Sequence, residues 1–315
     1  MTRPARSSQR LSTASYRGDV HVSRRGVLAG AAGALGAVAA TGLAVDEGWL
    51  PGRARLRRAL GQTGPAGHIP DATPGRVVSG SFASPLRLGA QTGWSVIYPG
   101  PRPRRLPVLV ALHGLGGTHR SWIDELGIDR FLAAAVSAGV PPFAIATVDG
   151  GTTYWHPRPD GEDAGGMVVR EFLPLLADQG LRTDRMAFHG YSMGGYGSLR
   201  LGPIVGRQAV RAVSVLSPAL WRDPAYASPD GFANAAEYER YTVFGHQSDL
   251  DGIAVRVDCG TEDPFYPDDK AYVAGFTRPI TSTFADGAHD VAYWTRMMPA
   301  QLAFVGRALG PDGSR

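Results

Sequence analysis

The chain of 315 residues reads as an α/β protein: a mainly parallel sheet with helices on both faces and an antiparallel N-terminal start. Three observations predict it. The continuously apolar run Pro107–Leu112, and Phe143–Val148 after it, have the composition of strands buried on both faces. Segments with apolar residues at helical spacing alternate with them, as helices covering such a sheet would. Glycine-rich or polar loops follow the carboxyl ends of the runs, where an open α/β sheet carries its active groups.

In chain order, Val77–Phe82 and Leu86–Tyr98 have strand character bounded by Gly and Pro and make the antiparallel start. Pro99-Gly100-Pro101-Arg102-Pro103 is a turn. Pro107–Leu112 is the first buried strand, Trp122–Ala138 a helix and Phe143–Val148 the next strand. Met167–Leu176 is an amphipathic helix, and Met186–Phe188 a short strand before the helix-competent Tyr196–Leu201. Val210–Leu216, Ile253–Val257 and Ile280–Phe284 are further strands, and Val291–Leu309 closes as an amphipathic helix. Asp223–Asp251 is the longest irregular insertion. One catalytic domain, 75–310, accounts for all of this, with 46–74, rich in Pro, Gly and Arg, as a linker or N-terminal arm.

The sequence pI of 9.4 misleads as a clue to partners. Residues 1–45 hold six arginines and one aspartate, a net +5, and the whole chain is +4, which leaves −1 for residues 46–315. No nucleic-acid surface is expected. Arg53-Ala54-Arg55-Leu56-Arg57-Arg58 is a solvated arginine-rich linker, with contact to anionic headgroups as the alternative. The single cysteine, Cys259, excludes an intramolecular disulfide and any multi-cysteine metal site, and reads as a small buried hydrophobe. No metal or cofactor is implied.

Ser23-Arg24-Arg25-Gly26-Val27-Leu28 is a twin-arginine pattern, followed by an uncharged Ala/Gly-rich run, Gly26–Val45. Residues 1–45 are therefore expected to be a Tat-type export signal, which implies the Tat machinery as a partner and transient membrane contact during export. The run is long enough to span a bilayer, about 20 helical residues covering roughly 30 Å, but it is weakly hydrophobic. Small residues at Val38-Ala39-Ala40 and Gly42-Leu43-Ala44 offer cleavage points, so a cleaved signal and a secreted or cell-envelope protein are favoured over an uncleaved anchor. Without a cysteine in the run, a lipoprotein anchor is not expected.

The chemistry centres on Gly190-Tyr191-Ser192-Met193-Gly194, a G-x-S-x-G between a strand and a helix. There a serine can sit on a sharp turn with its Oγ exposed, as a nucleophile elbow requires. Composition alone produces such a pattern in roughly one chain in three of this glycine content, so its neighbours decide. Leu112-His113-Gly114-Leu115-Gly116-Gly117 follows the first buried strand and can point N–H groups at a developing oxyanion. One donor is assigned to the Leu115 N–H and the other to that of Met193; His113 is read as structural. Of the eight histidines, His289 follows the last strand and precedes the last helix, where a base for Ser192 belongs; His156 and His246 are the alternatives. The acid comes from Val257-Asp258-Cys259-Gly260-Thr261-Glu262-Asp263, with Asp263 preferred over Glu262 and Asp258.

Substrate contacts are expected from Tyr154, Trp155 and His156, in the loop after a buried strand, and from Trp221. Buried aromatics pinning those loops is the competing reading. Glu171 caps or braces its helix.

Taken together, these blocks resemble the putative-esterase family of α/β-hydrolases over about residues 75–308. That family includes S-formylglutathione hydrolases, feruloyl-type esterases and the mycolyltransferases of the antigen 85 complex. Gly190-Tyr191-Ser192-Met193-Gly194-Gly195, His113-Gly114-Leu115, Asp263-Pro264-Phe265 and Gly287-Ala288-His289 are similar to the family's elbow, oxyanion, acid and histidine blocks. The Ala/Gly-rich leader, basic residues that are all Arg except Lys270, and Val148-Asp149-Gly150-Gly151 with Tyr154-Trp155-His156-Pro157 resemble exported actinobacterial members. The mycolyltransferases use a glutamate acid where this chain offers an aspartate, so long-lipid substrates lose support. The resemblance implies an exported serine esterase acting through Ser192 on a small-molecule, lipid or glycan ester. An acyltransferase passing the acyl group to a sugar or lipid alcohol is the alternative. A non-catalytic cell-wall binding protein on the same scaffold is a second one.

Overall fold

The computed structural model of the chain describes residues 57–100 and 105–311. The twin-arginine segment, the start of the arm including Arg53–Leu56, and Pro101–Pro103 of the expected turn lie outside the described residues.

Among the described residues eight strands form one sheet: β1 (Val77–Ser84), β2 (Ala90–Ile97), β3 (Pro107–Leu112), β4 (Ala144–Val148), β5 (Arg182–Tyr191), β6 (Val210–Leu216), β7 (Ala254–Gly260) and β8 (Thr281–Ala285). Their order is β1-β2-β4-β3-β5-β6-β7-β8. β2 runs antiparallel to both β1 and β4, and all other pairs are parallel. This is the expected α/β sheet with its antiparallel start. The helices are α1 (Ser121–Asp124), α2 (Ile128–Ser137), α3 (Ala164–Met167), α4 (Leu173–Asp178), α5 (Met193–Val205), α6 (Ala235–Tyr241), α7 (Tyr266–Ala274) and α8 (Val291–Leu309). None is long and apolar enough to cross a membrane.

Side chains alternate across a strand, so a strand covered on both sides must be apolar at every position. β3 meets that condition. Val108, Val110 and Leu112 join one core with Phe172, Leu176, Leu199 and Leu201. Leu109 and Ala111 join the other with Leu132, Trp294, Met298, Leu302 and Val305. Full burial of each large aliphatic side chain stabilises by about 1.5–3 kcal/mol, so the two cores anchor the sheet on which the loops are built. The strand order reverses at β3, with β4 on one side and β5 on the other. The loops leaving β3 and β5 therefore diverge to opposite faces and open a crevice between them.

Several elements differ in extent from the sequence reading. The expected strand Leu86–Tyr98 begins with a 3₁₀ turn, Pro85–Arg87, and a left-handed pair, Leu88 and Gly89. The Ser84 hydroxyl accepts the Arg87 N–H and binds Glu171, which also accepts the Leu86 N–H. Glu171 thus braces the strand start against a π turn, Val168–Phe172, that joins α3 to α4. The expected helix Trp122–Ala138 is split at Gly127, whose φ of 61° is left-handed. Met186–Phe188 proves to be the centre of the ten-residue β5. Inside the insertion 223–251, Asn234 caps α6 by accepting the Glu237 N–H, and Glu237 accepts the Ala233 N–H in return.

Residues 57–76 contain no strand and run along the start of α8. The Gly67 N–H donates to the Ala292 carbonyl at 2.8 Å, and Arg296 donates to Pro65 O at 2.7 Å. Arg58 pairs with Asp290, and Arg57 lies 3.5 Å from Glu262.

Candidate active site

A single residue, Ser192, separates β5 from α5. Its φ of 53° and ψ of −124° lie outside the regions an L-residue prefers. The surrounding hydrogen bonds hold it there. The Ser192 N–H donates to Leu216 O at 3.0 Å, and its carbonyl accepts from Gly195, Tyr196 and Ala219. Strain of this kind persists only where the structure over-determines it. Small neighbours make the turn possible. A Cβ on Gly190 would stand 2.0 Å from Gly194 O, and one on Gly194 would stand 2.0 Å from Leu112 O.

The loop between β8 and α8 brings His289 to this turn. Its Nε2 is 2.9 Å from Ser192 Oγ, and its Nδ1 is 2.8 Å from Asp263 Oδ2. With Nδ1–H donating to the carboxylate, Nε2 is left as an acceptor for the serine proton. The second Asp263 oxygen accepts the Phe265 N–H at 3.0 Å, and the carboxylate is fully buried. The imidazole is flanked edge-on by Phe265 at 5.2 Å and Trp294 at 5.1 Å, and the Trp294 indole donates to Ser217 Oγ at 3.1 Å. Such a relay can raise the nucleophilicity of Ser192 toward a carbonyl carbon.

The competing acids and bases are occupied elsewhere. Asp258 is paired with Arg256 at 2.8 Å and with the Gln301 amide at 2.8 Å; burial pushes its carboxyl up and Arg256 draws it back. Glu262 faces Arg57 of the arm. His246 is exposed beside Asp249. His113 is buried, donates from Nδ1 to Gly114 O at 2.8 Å and accepts the Gly150 N–H at Nε2 at 2.9 Å. Burial holds it neutral, with its pKa pushed down to about 4. It ties the glycine-rich loop after β3 to the loop after β4.

That tie places Gly114 against Ser192: a Cβ on Gly114 would lie 3.2 Å from the Ser192 Cβ. Leu115, next in the chain, has a half-exposed side chain. Met193 is the first residue of α5, so its N–H has no acceptor in a preceding turn. The positive end of the helix dipole is added at the same place.

The aromatic residues divide. Trp155 and His156 are fully buried, so neither lines an open pocket as the sequence reading expects. Trp155 packs under α5, where a Cβ on Gly197 would meet its ring at 2.5 Å. His156 stacks between Phe232 and Tyr241, with its ring nitrogens at the Pro157 and Gly231 carbonyls, and burial pushes its pKa down to about 4. In both cases the competing reading, a loop pinned by buried aromatics, applies. Tyr154 is also buried, but its ring lies 5.7 Å from that of the partly exposed Trp221. Trp221 in turn lies 5.4 Å from Phe265. An aromatic wall therefore runs from His289 through Phe265 and Trp221 to Tyr154. Phe265 and Trp294 are the members sequence reasoning missed, although Phe265 stands two residues after Asp263. Among the described residues no group of three or more His, Cys, Asp or Glu side chains converges as a metal ion would require.

The family model described as Putative esterase matches residues 87–305. Among solved structures, a ferulic acid esterase is 25% identical with a TM-score of 0.63, covering 75% of this chain and 100% of its own. An S-formylglutathione hydrolase from Agrobacterium tumefaciens is 20% identical with a TM-score of 0.62, over 76% and 98%. A fluorophosphonate-binding serine hydrolase of Staphylococcus aureus is 18% identical with a TM-score of 0.61, over 74% and 99%. The last two likenesses concern the fold. A comparison with curated proteins finds no match.

Proposed function

The chain belongs to the putative-esterase family and is a carboxylic ester hydrolase, and from that premise we propose that it is an exported serine esterase working through an acyl-enzyme on Ser192. The observation that carries this reading is the relay of 2.9 and 2.8 Å joining Ser192, His289 and Asp263 at a strained elbow.

In the proposed reaction His289 Nε2 removes the Ser192 proton as Oγ bonds to the ester carbonyl carbon. The N–H groups of Leu115 and Met193 receive the oxyanion, and Asp263 stabilises the imidazolium. Collapse breaks the bond to the alkoxy oxygen, which leaves with the proton held by His289. Water, deprotonated by the same nitrogen, then attacks the acyl carbon, releases the acid and restores Ser192. Trp221, beside Phe265 and backed by the buried Tyr154, is the wall beside the reacting carbonyl. Export is supported by Ser23-Arg24-Arg25-Gly26-Val27-Leu28 and the Ala/Gly-rich run after it, and it places the substrate, a small-molecule, lipid or glycan ester, outside the cytoplasm. Acyl transfer to a sugar or lipid alcohol would use the same acyl-enzyme, and product analysis with a candidate acceptor present separates it from hydrolysis.

Ser192→Ala is expected to abolish both p-nitrophenyl ester turnover and fluorophosphonate labelling. Labelling that survives the substitution would sink the assignment. Fractionation of cells expressing the full chain, with and without Arg24→Lys and Arg25→Lys, tests export: the double variant should stay in the cytoplasm.

A further inference from the structure

Three buried carboxylates lie at the carboxyl end of β7, and only two have strong hydrogen-bond donors as partners. Asp258 has Arg256 and Gln301, while Asp263 has His289 and the Phe265 N–H. Asp269, on α7, is fully buried, and among the described residues its carboxyl meets the Cys259 thiol, a weak donor, and no stronger one. The titratable groups that bear on it are Cys259 of β7, Asp263 of the loop and Asp268 of its own helix. None supplies a positive charge, and Asp268 is itself drawn outward by Arg222 at 2.6 Å.

Two routes connect Asp269 to the imidazole. In the first turn of α7 its backbone N–H donates to the Phe265 carbonyl at 2.8 Å, as any residue there would, and Phe265 both flanks the His289 ring and donates to Asp263. On the other side, Asp269 sits at the Cys259 thiol, which also faces Ser217, and Ser217 accepts from the Trp294 indole that covers the opposite edge of His289. Asp269 is therefore linked through its backbone to one aromatic flank of the histidine and through its side chain to the other.

A lone carboxylate in such a place is strongly disfavoured, and more so beside the charge of Asp263. We propose that Asp269 is a positioning residue for the Ser192–His289–Asp263 relay and that it serves as an uncharged carboxylic acid, leaving Asp263 the single anion under the histidine. Burial pushes its carboxyl well above the usual carboxylate range, in the same direction. The inference rests on the proposed role of the relay.

The test compares Asp269→Asn, which keeps the shape and cannot ionise, with Asp269→Ala. In denaturant unfolding from about pH 4 upward, the native wild type must keep a proton that its unfolded chain releases. The unfolding constant of the wild type should therefore rise relative to the asparagine variant by about tenfold per pH unit. A gap that does not change with pH overturns the uncharged state, as does a shift of the acid limb of kcat/KM to lower pH in Asp269→Asn. Asp269→Ala should lower kcat about tenfold with KM nearly unchanged, and asparagine should restore most of the loss. Wild-type kcat in the alanine variant overturns the positioning role. Should that variant fail to fold, Asp269→Leu, which fills the volume, is read the same way. The unfolding series reports on protonation whether or not esters are turned over. Fluorophosphonate labelling of Ser192 in the same variants tests the hydrolase reading separately.

Discussion

Gly194 lies so close to Leu112 that a methyl group on its Cα would stand 2.0 Å from the Leu112 carbonyl oxygen. The obstacle is backbone of a buried central strand, so relief requires α5 to move away from the sheet. Gly194→Ala is expected to destabilise the protein by at least about 2 kcal/mol, as overpacked buried sites do. Gly116→Ala has open space around the added carbon but a φ of 75°, and should cost about 1 kcal/mol. Urea unfolding of the two variants beside the wild type checks the order.

Asp263→Asn should reduce kcat/KM by about 10⁴ with little loss of thermal stability, because the amide favours the wrong imidazole tautomer. Glu262→Gln alters a part-buried carboxylate that faces Arg57 of the arm and should stay within about threefold of wild type. Equal losses in the two variants would move the acid's role away from Asp263.

Three buried histidines set an acid limit on stability. His113, His156 and His189 are each held neutral by burial, with pKa values pushed down to about 4. Their folded values lie below the unfolded value of about 6.5, so above that pH they do not affect the balance. As pH falls from about 6.5 toward 4 the unfolded chain takes up protons that the folded one refuses, at up to about 3 kcal/mol for each site. Urea midpoints should fall across that window, and His113→Gln should fall less steeply than wild type. A flat profile between pH 7 and 4.5 contradicts the argument.

Trp221→Ala removes the part of the aromatic wall next to Phe265. Esters with bulky or aromatic acyl groups should lose about tenfold or more in kcat/KM, while acetyl esters change little, in keeping with about 1–3 kcal/mol for pocket contacts of this size. Uniform loss across a graded ester panel would assign Trp221 to structure alone.

The sequence carries the framework of this site because its signals are local. β3 announces itself as an unbroken apolar run and β4 as one broken by Thr147 alone, and Ser192, Asp263 and His289 each follow a strand. Where the reading fell short, the deciding contacts are distant in the chain. Trp155 and His156 have the composition of a pocket lining. They are buried because Gly197 of α5 leaves room for the one, while Phe232 and Tyr241 of the insertion enclose the other. The break at Gly127 and the reciprocal cap of Asn234 and Glu237 were local signals that the apolar periodicity masked. Asp269 gave no sign, since an acid early in a helix is ordinarily solvated; only the packing of α7 on β7 makes it unusual.

The reversal of strand order at β3 bears on the moment at which the chain becomes an enzyme. The proposed oxyanion donors leave neighbouring strands that the β4 crossover separates in sequence, and the acid and base come from loops nearer the C-terminus still. The machinery spans the chain from Leu115 to His289, and no shorter fragment holds all of it. A nascent chain is therefore inert until β8 and the loop carrying His289 are in place, and recovery of ester turnover during refolding clocks the completion of the whole sheet rather than of any one of its halves.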